Sequence, residues 1–122
     1  MTHGIEDLEN GLLFIELERF EGLADKYLGM DGRAAVQEAL LENPETGDTV
    51  EGTGGARKMR VALPGKAKGK SGGARVIYYY RKSRSVVYLL SLYPKSLKAN
   101  LSAEDKKALK AEIKKINEED YP

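Results

Sequence analysis

The stretch Val86–Tyr93, VVYLLSLY, contains eight residues, and Ser91 is the only one without a large apolar or aromatic body. A run this short that is apolar at both odd and even positions belongs in the middle of a sheet. Its neighbours supply that sheet. From Arg57 the pattern has period two, with Met59, Val61 and Leu63 on one side and Lys58, Arg60 and Ala62 on the other. Ala74–Arg81 predicts a second strand, less cleanly alternating because VIYYY is amphipathic on both faces. The RKSRS segment between these runs reads as a hairpin turn, and Pro94 ends the last strand.

Upstream, Leu12–Leu17 (LLFIEL) predicts a buried strand. Phe20, Leu23, Ala24, Tyr27 and Leu28 fall at helical spacing, with Gly29 placed to end that helix. Asp31 can cap a second helix whose inner face is Ala35, Val36, Ala39 and Leu40, and Pro44 and Gly47 break it. Downstream, Ser102 and Asp105 are spaced as a capping box, opening a helix with inner stripe Leu109, Ile113 and Ile116. The order β-α-α-β-β-β-α predicts an α+β domain. Short connections make its late strands an antiparallel meander, with the helices packed against one face of the sheet. Residues 1–11 show weak periodicity and are expected to be a poorly ordered lead-in, and residues 12–119 form a single domain.

Charge is strongly segregated. Residues 1–51 carry thirteen acids against three bases, whereas residues 52–101 carry twelve bases and no acid. Such a block attracts polyanions rather than presenting a mixed surface. The absence of cysteine excludes disulfides and thiolate-held metals. No apolar run approaches the ~20 residues of a membrane span, and Met1–Gly11 is acidic rather than signal-like. These features point to a cytoplasmic protein without a membrane partner.

The familiar catalytic templates are missing. His3 is the only histidine, no carboxylate cluster resembles a metal site, and the GTGG and SGG stretches lack P-loop spacing. No cofactor is expected. What remains is cations and tyrosines. Lys58 and Arg60 share a strand face, Arg75 opens the next strand and Lys95 follows the central one, so the four can converge as a catalytic set. Arginine forks bind phosphate bidentately, and lysine crowded by cations can serve as a base. Arg57, Lys66, Lys68, Lys70, Tyr79, Arg81, Tyr93 and Lys98 are the candidate RNA-binding residues around that set. Tyrosine rings can stack on bases, although Tyr88 and at least one of Tyr78–Tyr80 are expected to pack in the core. RNA supplies its own nucleophile, the 2′-hydroxyl. A site that orients it and stabilises phosphoryl charge can therefore cleave without histidine, most effectively when another body holds the RNA.

Three blocks, GTGGARKMRVAL, GKAKGKSGGARVIYY and VYLLSLYPKSLKANLS, resemble in order and spacing the HigB-like branch of the RelE toxin superfamily, over roughly Leu12 to Ile116. The resemblance implies a RelE-like fold and a toxin that cleaves mRNA in the ribosomal A site. It also implies two partners, the 70S ribosome with bound mRNA and a helix-turn-helix, HigA-like antitoxin. By position, RKMR places Lys58 and Arg60 as base and phosphate contacts, Arg75 as the phosphate-stabilising arginine and Lys95 as the basic residue after the last strand. Family members often carry Gly or Ala where this chain has Pro94. The competing readings are a ParE-like toxin that poisons DNA gyrase and a simple nucleic-acid-binding module.

Overall fold

In the computed structural model, which describes residues 3–7, 11–63 and 73–119, VVYLLSLY lies inside a six-stranded sheet. The chain runs through β1 (His3–Asp7), β2 (Leu12–Glu16), α1 (Glu18–Tyr27), α2 (Gly29–Glu42), β3 (Asp48–Thr49), β4 (Ala56–Val61), β5 (Ala74–Arg81), β6 (Val86–Pro94) and α3 (Ala103–Glu118). The strand order is β1-β2-β6-β5-β4-β3. β6 pairs parallel with β2 and antiparallel with β5, and the other neighbours are antiparallel.

The two apolar faces of β6 require cover on both sides, and that is what the fold provides. Val87, Leu89 and Leu92 join Phe20, Ala24 and Leu28 at α1 and Val36 and Leu40 of α2 in one cluster. Val86, Tyr88, Leu90 and Tyr93 join Leu109, Ile113 and Ile116 of α3 in a second. The expectation that all helices pack against one face is therefore corrected: α1 and α2 cover one side and α3 the other. Each large side chain buried this way contributes about 1.5–3 kcal/mol, so a strand apolar on both faces cannot leave one side in water.

The α+β class and the predicted element order stand, with two strands added at the edges. Part of the expected lead-in is β1, which extends the sheet beyond β2. Asp48–Thr49 adds a two-residue strand beyond β4. Backbone pairing at an edge needs no apolar alternation, so neither has a sequence signature. Gly29 takes φ +65° and turns α1 directly into α2. Asp31 thus sits in the first turn of α2 rather than capping it, and the buried stripe is Gly32, Val36 and Leu40, with Ala39 partly buried against the same cluster and Ala35 exposed. α3 opens with the predicted capping box: the Asp105 N–H donates to Ser102 Oγ at 3.0 Å and the Ser102 N–H to Asp105 Oδ2 at 2.9 Å. No described helix is long and apolar enough to cross a membrane.

One irregularity matters for the site. Ile77 pairs with Ser91 but Tyr78 pairs with Leu89, so Leu90 is an extra residue in β6. This bulge shifts the alternation by one position. Beyond it Tyr93, instead of pointing with Leu89, joins Tyr88 and Leu90 on the α3 side.

Candidate nucleic-acid interface

Neighbouring strands bring three of the predicted residues onto one rung. Arg60 of β4 stands opposite Arg75 of β5, and Arg75 stands opposite Tyr93 of β6. The next rung carries Lys58, Ile77 and Ser91. Ile77 and Tyr93 belong to the α3-side cluster, and alternation puts Lys58, Arg60 and Arg75 on that same face. Directly opposed side chains on a sheet lie about 4.5–5.5 Å apart at Cβ, where like charges repel. Arg60 and Arg75 are such a pair. Among the described residues neither has a carboxylate partner; Arg75 Nη1 reaches only the Ala74 carbonyl of its own strand, at 3.5 Å. Two opposed arginines without a carboxylate partner among the described residues give a patch of positive potential suited to a phosphate.

Tyr93 closes the rung. It is 7 % exposed, and its hydroxyl has no hydrogen-bond partner among the described residues. Burial pushes the phenol up from its usual value, against the opposing pull of Arg75 and Lys98. Burial thus favours the neutral phenol. Lys98 Nζ sits 5.6 Å from the Tyr93 ring centroid and forms an ion pair of 2.6 Å with Asp105. Together with the Ser102 N–H, Lys98 holds the Asp105 carboxyl down at about 2. The Lys95 N–H donates to the Gly73 carbonyl at 3.1 Å, pinning the turn after β6 beside the start of β5 and hence close to Arg75. Two open clefts flank the rung. One, of about 220 Å³, lies between α1, α3 and the end of β6 and includes Arg19, Ser91 and Tyr93. The other, of about 300 Å³, lies between β3, Lys58 and the start of α3.

Other expected residues are placed elsewhere. Arg57 points to the α2 side, donating to the carbonyls of Glu45 at 3.0 Å and Gly47 at 2.8 Å, so it fastens the α2–β3 connection. Arg81 reaches the carbonyls of Ile116 and Asn117 at 3.3 and 3.4 Å, where a cation suits the end of α3. Tyr79 stacks on Tyr88 with centroids 6.1 Å apart and donates to Asn117 Oδ1 at 2.8 Å, a packing role. Tyr78 is fully buried. Lys66, Lys68 and Lys70 lie outside the described residues. Sequence reasoning missed Asp105 as the partner of Lys98, although the capping-box spacing already marked it.

Residues 17–120 match the family model described as the RelE toxin of the RelE/RelB toxin–antitoxin system. The chain belongs to the RelE toxin family. Among solved structures, a mutant of the E. coli toxin RelE in its free state is similar over 70 % of this chain and 85 % of that one, at 21 % identity and a TM-score of 0.49. The family places this protein among the toxins of toxin–antitoxin systems, which act opposite an antitoxin partner.

Proposed function

We propose that this RelE-family toxin is a ribosome-dependent mRNA endonuclease that cleaves in the A site of the 70S ribosome through attack by the 2′-hydroxyl. The observation that carries this reading is the Arg60–Arg75–Tyr93 rung: two opposed arginines with no carboxylate partner among the described residues, beside a buried phenol. In this scheme Arg60 and Arg75 hold the non-bridging oxygens and stabilise the charge that builds on them. Lys58 takes the 2′-hydroxyl proton, and the 2′-oxygen bonds to phosphorus as the bond to the 5′-oxygen breaks. Tyr93, whose hydroxyl is buried in the free protein, gives its proton to that leaving oxygen once docked RNA draws the phenol out of the core, so the products are a 2′,3′-cyclic phosphate and a 5′-hydroxyl. Lys95 adds positive charge at the start of β5. The ribosome holds the message in line, an orientation this open face does not impose by itself. A HigA-like antitoxin would keep the basic face from the ribosome.

Primer extension on messages incubated with purified protein, with and without programmed bacterial ribosomes, tests this. Cuts are expected only with ribosomes, and an Arg75→Ala protein is expected to bind ribosomes while cutting at least about 10²-fold more slowly, the loss typical of one missing oxyanion donor. Full cutting by Arg75→Ala would refute the site. Absence of cuts from the folded wild-type protein would redirect attention to gyrase.

A further inference from the structure

We infer that the cleft where β2 ends is a docking notch for an extended, acidic segment of a protein partner, which adds there as a short strand on the free edge of β6. β6 outruns its parallel neighbour. Their pairing stops at Glu16 and Leu89, and the Leu17 N–H then donates to the Leu89 carbonyl at 3.0 Å. The chain leaves for α1 at Glu18, while β6 continues to Pro94 with β5 on its other side. The phase of that remaining ladder shows which groups are left over. The Lys95 N–H bonds the carbonyl of Gly73, which the register places directly opposite. Opposed residues in an antiparallel pair alternate between exchanging bonds and turning their groups outward. Counting back from Lys95, Tyr93 and Ser91 face β5, and the Leu92 N–H and C=O point away from it, toward the row that β2 has left. Pro94 obeys the same phase, its carbonyl accepting from the Leu97 N–H at 3.1 Å. Outside the ladders, no backbone bond among the described residues reaches Leu92.

A second unpartnered group lies in the same place. The cleft of about 220 Å³ is lined here by Leu92 and Tyr93 of β6, Arg19 and Leu23 of α1, and Asp105 and Ala108 of α3. Tyr93 is 7 % exposed, and its hydroxyl has no partner among the described residues. An unpaired strand edge is a template for another chain, and a buried donor calls for an acceptor. An extended segment meets both needs. The residue beside Leu92 exchanges two main-chain bonds with it, and the flanking side chains alternate between the two faces of the sheet. On the α3 side a carboxylate can accept from Tyr93. Asp105 and Glu112 are already paired with Lys98 and Arg19, whereas Arg75 and Lys95 have no carboxylate partner among the described residues, so the surroundings favour an acid. On the other side an apolar residue meets Leu23 and Leu92. The Arg19–Glu112 ion pair ties α1 to α3, so the space between these walls suits a single strand rather than a helix about 10 Å across.

Amide hydrogen exchange and NMR titration of the full chain test the notch. In the free protein the Leu92 amide is expected to exchange at least about tenfold faster than those of Ser91 and Tyr93, since it alone of the three faces the open edge. The probe is the acetylated, amidated pentapeptide Val-Glu-Val-Glu-Val. It is expected to shift the Leu92 and Tyr93 amides and to slow exchange at Leu92. The lysine counterpart, Val-Lys-Val-Lys-Val, and a fully N-methylated form of the probe are each expected to bind at least about fivefold more weakly, the scale of one lost hydrogen bond. Ala108 is exposed and lines the cleft, so Ala108→Trp fills the notch from the surface and is expected to abolish the peptide shifts without lowering the melting temperature. Equal protection of the three amides in the free protein would mean the edge is already closed, and would overturn the proposal. So would an absence of peptide shifts, or undiminished binding of the N-methylated peptide. The same shifts from sodium acetate would reduce the notch to an anion site. Slower Leu92 exchange on raising the protein concentration alone would make a second copy the occupant; either result overturns a partner strand. None of these readouts involves cleavage, so the notch stands or falls apart from the nuclease reading.

Discussion

At the scale of single residues, the Arg60–Arg75 pair and the Tyr93 hydroxyl are all costs to the folded state. Like charges are opposed across a rung, and a buried polar atom lacks a partner among the described residues. Removing them should therefore separate stability from activity. Tyr93→Phe is expected to slow ribosomal cleavage by about 10²-fold, the upper part of the acid–base range being reserved for stronger acids, while leaving the melting temperature unchanged or raised. A parallel fall in both quantities would mean that Tyr93 is structural. Tyr78 is the opposite case. Its hydroxyl accepts from the Gly47 N–H at 2.9 Å and donates to the Pro44 carbonyl at 2.8 Å. Tyr78→Phe leaves both backbone groups short of a partner and is expected to cost about 1–3 kcal/mol in chemical denaturation, with the site face unaltered. Asp105 adds a pH signature. Its folded carboxyl sits at about 2, below the unfolded value of about 4. The stability it contributes is thus complete above pH 4 and is lost as the pH falls toward 2. Asp105→Asn should flatten that part of the acid-unfolding profile.

At the scale of elements, the buried Glu16–Arg33 pair joins β2 to α2. Arg33 Nε and Nη2 donate to Glu16 at 2.9 and 3.2 Å, Nη1 pairs with Asp25 at 2.9 Å, and Glu16 is 3 % exposed. The Glu16 interaction raises the Arg33 value further above that of free arginine. Glu16→Ala strips a largely buried guanidinium of its main partner and is expected to destabilise by about 3 kcal/mol. Replacing both residues with methionine should recover most of the loss, since the pair itself is weak evidence of net stabilisation. How much of these elements could be read from the sequence follows from what each one needs. β4, β5, β6 and α3 carry their own signals in period-two runs, a two-faced apolar strand and a capping box. VVYLLSLY also held the correct answer about the layers, because a strand apolar on both faces implies cover on both. β1 and β3 were not legible, since edge pairing draws on backbone groups that every residue has. For the site, the alternation of RKMR placed Lys58 and Arg60 together, but the position of Tyr93 depends on the extra residue at Leu90, and no local pattern marks a bulge. Arg57 and Arg81 look like their neighbours in sequence; only the carbonyls they meet in the fold give them a different task.

At the scale of the molecule, the acids of α2 and the arginine rung end up on different surfaces, although Asp48 of β3 stands opposite Lys58 on the rung's own face. Exposed acids such as Glu38 and Glu42 lie on α2, on one side of the sheet, and the arginine rung lies on the other. On the nuclease reading, this charge pattern would orient the protein as well as attract it to RNA. Binding of the Arg75→Ala protein to ribosomes is expected to weaken about tenfold or more between ~50 and ~200 mM salt, as a few phosphate contacts are screened. A salt-independent affinity, measured by co-sedimentation, would mean that the contacts are not ionic.

The position of β6 in the sheet also governs when activity can begin. This strand sits between β2 and β5, yet it is the last strand in the chain and is followed only by α3. Until it emerges during synthesis, β2 has no parallel neighbour, Arg75 has no Tyr93 opposite it, and neither core has its middle layer. The pairing of β2 with β6 spans most of the sequence, a long-range contact of the kind that forms slowly. A truncated product ending before Val86 would have α1, α2 and the basic strands but no completed rung. On the nuclease reading, the toxin is expected to be inert for nearly all of its own translation, becoming competent only when its final strand slides into the gap between β2 and β5.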